Sequence, residues 1–130
     1  MTDKELIAQF ESGSPPTDGF HHEQHVRMAF AYLRHYPLVQ ALERFSAALR
    51  RFAAAQGKPN LYNQTITWAY LFLIHERMSK AENRATWEQF ASANPDLLQW
   101  KGGILQRFYS PETLGSDLAK RTFLFPDKIA

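Results

Sequence analysis

The feature that most constrains this chain is the apolar run at residues 61–78, which reads LYNQTITWAYLFLIHERM. Within residues 66–74, Thr67 is the only interruption of the hydrophobic sequence. A helix needs about 20 apolar residues to cross a bilayer, so this run is too short to be a membrane span. A helix that is apolar on every side is usually buried inside a protein. The run therefore predicts a buried central helix with polar groups at both ends.

Length and composition favour one domain that spans residues 1–130. The chain is 45% hydrophobic and contains no cysteine, so it can build one core but neither a disulfide nor a thiolate metal site. The N-terminus, MTDKELIAQF, lacks the basic stretch followed by an apolar stretch that marks a signal peptide. We therefore expect a cytoplasmic protein with no membrane partner.

The periodicity of the apolar residues predicts helices throughout. The clearest stripe recurs at intervals of four and three residues: Leu38, Leu42, Phe45, Leu49 and Phe52. Residues 2–5 and 86–89 have the spacing of capping boxes, and no segment alternates with the period of two that is typical of a strand. The prediction is an all-α, single-domain helical bundle of four longer helices, with shorter C-terminal helices packed on it.

Proline, glycine and serine residues divide this pattern into helices. The second helix should run from about His22 to His35, and Pro37 should start the third. Residues 12–19 (SGSPPTDG) predict a loop, and Gly102-Gly103 predicts a flexible break. Ser110 should cap a short helix that begins at Pro111.

The charge distribution does not favour a nucleic-acid partner. The formal net charge is +2, and basic residues are mixed with acidic ones along the chain. The densest basic group, Arg44, Arg50, Arg51 and Lys58, is best interpreted as a solvated helix face.

Two histidines near the start of the second helix are the first candidate site. His22 and His25 lie one turn apart and share a helix face, so together they could bind a divalent metal ion. A zinc site usually needs a third protein ligand, for which Glu76 is the candidate on the central helix. The alternatives are that the pair caps and packs the helix, or that one imidazole acts as a general acid or base.

The polar start of the central helix is the second candidate site. Tyr62, Asn63, Gln64 and Thr65 precede its apolar residues. If this end is buried, the four side chains must be hydrogen-bonded, either to one another and to helix-end amides or to a polar ligand that they share with the histidine pair.

Several of these segments together resemble a family of small uncharacterised bacterial all-helical proteins. The resemblance rests on F-x-H-x-x-H-V at residues 20–26, Y-N-Q-T-I-T at residues 62–67 and Y-S-P-E-x-L at residues 109–114. It implies a bacterial source and a shared helical fold, and no activity. In this family we expect His-Glu where this chain has Asn63-Gln64. Because amide oxygens are poor ligands for transition metals, this departure argues against a metal centre here.

The leading hypothesis is therefore a small-molecule ligand in a polar pocket. The residues expected to bind it are His22, His25, Tyr62, Asn63, Gln64 and Thr65. If a metal ion is present, its possible ligands are His22, His25 and Glu76. The alternative is a non-enzymatic interaction module or homodimer, in which the histidines are structural and Trp87, Trp100 and Phe108 are exposed for contact.

Overall fold

The computed structural model describes residues 2–13, 21–81 and 85–128, and it confirms the predicted all-α bundle. The body consists of four longer helices: α1 (Asp3–Glu11), α2 (His22–His35), α3 (Leu38–Ala55) and α4 (Gln64–Lys80). Four shorter helices follow: α5 (Trp87–Ala93), α6 (Pro95–Leu98), α7 (Pro111–Leu114) and α8 (Asp117–Arg121). Single 3-10 turns lie at Pro59–Leu61 and Ile104–Arg107. Most of the predicted loop at residues 12–19, and Phe20 of the first motif, lie outside the described residues.

Local sequence sets the helix ends. Thr2 and Glu5 form the predicted capping box of α1, and Thr86 and Gln89 form that of α5. Ser110 accepts a hydrogen bond from the Thr113 amide at the start of α7. These bonds link residues three apart, so they form whenever the helix forms.

The helix in the apolar run begins later than its sequence suggests. A 3-10 turn comes first, and Asn63 is the N-cap of α4, which starts at Gln64. A side-chain amide at this position accepts from a helix-end N–H, and this bond is worth about 1 kcal/mol.

The most continuously buried stretch lies in α2 and not in α4. Residues 28–33 of α2 are all buried, and this helix contacts α1, α3, α4 and α6. In α4, buried residues are interspersed with half-buried ones, and Phe72 is 37% exposed. The prediction of a rod buried on all sides was therefore wrong. On one side of α4 the C-terminal segment packs against the helix, where Phe123 contacts Trp68 and meets Phe72 edge-on.

Two of the three aromatics predicted to be exposed pack on the core. Trp87 lies against Phe30 and Phe90, with ring centroids 5.5 and 6.2 Å apart, and Phe108 is half-buried against the core. Trp100 is 57% exposed, as expected. Among the described helices, none combines the length and apolar character needed to span a bilayer.

Candidate functional site

A cavity of about 940 Å³ lies between α2, α3 and α4 and the turn at residues 100–106. Its walls are mostly apolar and come from three helices. The lining residues include Val26 and Ala29 of α2, Phe45, Leu49 and Phe52 of α3, and Ile66, Leu71 and Ile74 of α4. The cavity reaches the surface, because the exposed residues Lys58, Leu61 and Lys101 also line it. Sites for small molecules typically measure about 300–1,000 Å³ and combine apolar walls with a few polar groups.

His22 is fixed at one side of this cavity. Its Nε2 lies 2.9 Å from the carbonyl oxygen of Leu97. A carbonyl can only accept, so Nε2 carries the proton, and in the neutral ring Nδ1 is left as an acceptor. The ring also packs between Tyr70 and Trp100, at centroid distances of 4.8 and 5.2 Å.

His25 lines the same cavity one turn further along α2. Burial lowers its pKa to about 4, with a smaller contribution from repulsion by His22 and His21. Burial also lowers the pKa of His22, although the bond to the Leu97 carbonyl opposes this. Both imidazoles are therefore neutral at neutral pH. We call this pair, His22 and His25, the histidine wall.

The start of α4 has a different role. Asn63 Oδ1 accepts from the Ile66 amide at 2.9 Å, and its Nδ2 donates to the Leu114 carbonyl at 2.7 Å. The cap bond is local, whereas the second bond ties α4 to α7. Asn63 also lines the cavity, but both of its polar atoms are already hydrogen-bonded.

Thr65 is fully buried and does not line the cavity. Its hydroxyl accepts from the Leu124 amide at 3.1 Å. The carbonyls of Ala119 and Thr122 lie 2.9 and 2.8 Å from the same oxygen and share its one proton. We call Asn63 and Thr65 the C-terminal anchor, because they bind the backbone of residues 114–124.

Tyr62 and Gln64 are joined to α3. Gln64 Oε1 accepts from the Tyr62 hydroxyl and from Arg50 Nη2, the latter at 3.1 Å. The Arg50 guanidinium lies over the Tyr62 ring, 4.8 Å from its centroid. Tyr62 lines the cavity and Gln64 does not. Of the six residues predicted to bind a ligand, four therefore line one cavity: His22, His25, Tyr62 and Asn63. Gln64 and Thr65 lie outside its lining.

The predicted three-ligand metal set is not assembled. Glu76 is exposed, and its carboxylate lies 3.9 Å from Lys80 in the next turn of α4. Within residues 2–13, 21–81 and 85–128, no group of three His, Asp or Glu side chains is placed to hold a metal ion. Glu76 does not join the two histidines, because the register of α4 directs it to the surface.

Sequence reasoning missed the turn that closes one side of the cavity. Gly103 is buried, and a Cβ there would lie 2.8 Å from the Gln99 carbonyl oxygen and 3.2 Å from the Tyr70 hydroxyl. Only glycine fits, so Gly102-Gly103 is a close-packed turn and not a flexible break. The Gly-Gly pair was the signal, but sequence alone does not distinguish a tight approach from flexibility.

Tyr70 was also missed, because its position in the apolar run predicted a core residue. Its ring contacts His22, and its hydroxyl has no hydrogen bond among the described residues. Burial raises the pKa of Tyr70 to about 12, so it remains a neutral donor.

A salt bridge outside the cavity lining joins α4 to the helix whose carbonyl accepts from His22. Arg77 of α4 binds Asp96 of α6 through two parallel bonds of 3.0 and 2.8 Å, and it also donates to Asn94. This pair holds α6, whose Leu97 carbonyl accepts from His22. Bidentate pairs of this kind fix orientation as well as distance.

Comparison with protein-family models, with curated proteins and with solved structures gives no significant match. The resemblance to a bacterial helical family therefore stays a prediction.

Proposed function

We propose that the chain binds a small, largely apolar molecule in the cavity, with the histidine wall as its main polar contact. The observation that carries this proposal is a cavity of about 940 Å³ whose apolar walls converge on two neutral imidazoles. The apolar walls would supply affinity, because removing apolar surface from water stabilises a complex by about 25 cal/mol per Å².

The polar groups would set the orientation of the ligand. His22 Nδ1 is an acceptor, since Nε2 donates to the Leu97 carbonyl, and Tyr70, whose ring packs against His22, carries a hydroxyl donor. An uncharged polar group of the ligand could bond to either group without placing a charge in the interior. Unpaired charges are costly in such surroundings, which is why neutral imidazoles suit an apolar site.

A cavity-filling variant tests this proposal. Ala53 of α3 lines the cavity and is half-buried, whereas the next residue, Ala54, is exposed and does not line it. We expect Ala53→Trp to weaken binding of the neutral fluorescent probe N-phenyl-1-naphthylamine by about tenfold or more, because the indole occupies part of the site. Ala54→Trp is the matched control and should bind the probe like the wild type.

The readout is probe fluorescence during titration, with far-UV circular dichroism to monitor the fold. Wild-type protein that fails to bind the probe, or a folded Ala53→Trp variant that binds it unchanged, would contradict the proposal. If Ala53→Trp does not fold, Leu49→Trp on the same helix replaces it. The double variant His22→Ala/His25→Ala should keep the helical spectrum and lose affinity.

A further inference from the structure

The charged groups that line the cavity have one sign. Its lining contains two lysines, Lys58 and Lys101, and the two histidines, and among the described residues it contains neither an aspartate nor a glutamate. Acidic residues are not scarce in the chain as a whole, which has 13 Asp and Glu against 15 Lys and Arg. The cavity is therefore suited to an anion and not to a cation.

The positive charge is confined to the mouth. Lys58 and Lys101 are both exposed, as are two further lining residues with amide donors, Gln56 and Gln106. The interior holds apolar side chains and uncharged polar groups instead, with the two imidazoles among them. This arrangement separates a cationic rim from an apolar interior, which is the complement of a molecule with an anionic head and an apolar body.

The head is better matched by a carboxylate than by a phosphate. No arginine lines the cavity in the described part of the chain, and arginine is the residue that binds phosphate through a planar fork. Helix N-termini also bind phosphate, but at the start of α4 the Ile66 amide is already bonded to Asn63. Lysine ammonium groups bind a carboxylate as point charges and need no such fork.

We propose that the ligand is an amphipathic monocarboxylate, with its carboxylate between Lys58 and Lys101 at the mouth, a mostly apolar body inside the cavity, and an uncharged polar group on that body that bonds to the histidine wall. This inference rests on the proposed function, since it names the ligand class of the same site. From the sequence, Lys58 was interpreted as part of a solvated helix face. In this proposal it binds the carboxylate, because it lines the mouth of the cavity.

The test is displacement of N-phenyl-1-naphthylamine at pH 7.5 by dodecanoate, 1-dodecanol and dodecylamine, with 1-dodecanol kept below its solubility limit and the two ionic compounds below their critical micelle concentrations. These compounds share a twelve-carbon chain and differ in head charge. Dodecanoate should displace the probe at a concentration at least tenfold lower than dodecanol, and dodecylamine should be the weakest. In Lys58→Glu/Lys101→Glu, the dodecanoate affinity should fall at least tenfold while that of dodecanol is unchanged.

The matched control is Lys4→Glu/Lys80→Glu, which changes the net charge equally. Both of these lysines are exposed and neither lines the cavity, so this variant should keep the wild-type preference. Equal displacement by dodecanol and dodecanoate would overturn the carboxylate assignment and leave the proposed function standing. A tenfold preference for dodecyl phosphate over dodecanoate would also overturn it. Absence of probe binding by the wild type would instead refute the proposed function itself.

Discussion

The C-terminal anchor and the histidine wall carry polar side chains at the first turns of two neighbouring helices, yet the fold uses them differently. Asn63 and Thr65 donate to and accept from backbone groups of residues 66 and 114–124. His22 donates a hydrogen bond from one ring nitrogen to the Leu97 carbonyl, and both histidines line the cavity. The sequence predicted one shared site from the two groups.

The difference shows how a buried polar residue can be assigned a role. When the protein's own backbone satisfies its hydrogen bonds, a side chain contributes mainly to stability, because leaving those partners unpaired costs about 1–3 kcal/mol each. When a side chain lines a cavity, as His22 does with Nδ1 left as an acceptor, it can contact a ligand. Changes in the anchor should therefore alter stability, and changes in the wall should alter pH dependence and binding.

The largest expected effect is acid destabilisation through the wall. His25 has a pKa of about 4 in the folded chain against 6.5 for an ordinary histidine. Between these values the unfolded chain takes up a proton that the folded chain does not, so the free energy of unfolding falls as the pH falls from about 6.5 to about 4. The full difference between these two pKa values corresponds to a loss of up to about 3 kcal/mol in the free energy of unfolding.

Urea unfolding between pH 4 and 7.5 measures this effect. His25→Gln, which cannot titrate, should show a flatter dependence than the wild type over this window. His22 contributes in the same direction, since burial also lowers its pKa. Superimposable profiles of the variant and the wild type would show that His25 is not held neutral by burial.

The next effect is a loss of stability in the anchor that is independent of pH. Thr65→Val keeps the side-chain shape but leaves the Leu124 amide and the carbonyls of Ala119 and Thr122 without their partner. We expect a loss of about 2 kcal/mol in the free energy of unfolding. Thermal and urea unfolding at pH 7.5 would measure it, with binding of N-phenyl-1-naphthylamine retained in the folded variant.

Thr67→Val is the matched control for this substitution. Thr67 lies one residue beyond Ile66 on the same helix, and its hydroxyl donates only to the Asn63 carbonyl within the helix, at 2.7 Å. Such back-bonding contributes little, so this variant should lose less than about 0.5 kcal/mol. Equal losses at both positions would refute a special role for Thr65.

The smallest effect separates the two bonds of Asn63. Asn63→Ala should cost about 1 kcal/mol or slightly more, because it removes the cap of Ile66 and the bond to Leu114. Asn63→Asp keeps the cap acceptor and replaces the donor by a carboxylate oxygen that faces the Leu114 carbonyl. Chemical unfolding of both variants therefore compares the loss at the helix end with the loss of the tie to α7. If Asn63→Asp unfolds like the wild type, the bond to Leu114 contributes nothing measurable.

The sequence by itself determined the fold class and most helix ends. Thr2, Thr86 and Ser110 cap helices where predicted, and His22–His35 has the predicted bounds. These features depend on hydrogen bonds and apolar spacing within a few residues, so a local pattern contains the information. The start of α4 was misplaced by a few residues because a 3-10 turn precedes its cap.

Only the tertiary structure decided which polar residues face the cavity. Thr65 meets its partners 54 to 59 residues later in the chain, and His22 meets Leu97 at a separation of 75. Helical periodicity shows which residues share a face, but not which element covers that face. The packing of residues 97–124 therefore assigned Thr65 to the anchor, directed His22 and His25 to the cavity and left Glu76 at the surface, because these outcomes depend on contacts between distant segments.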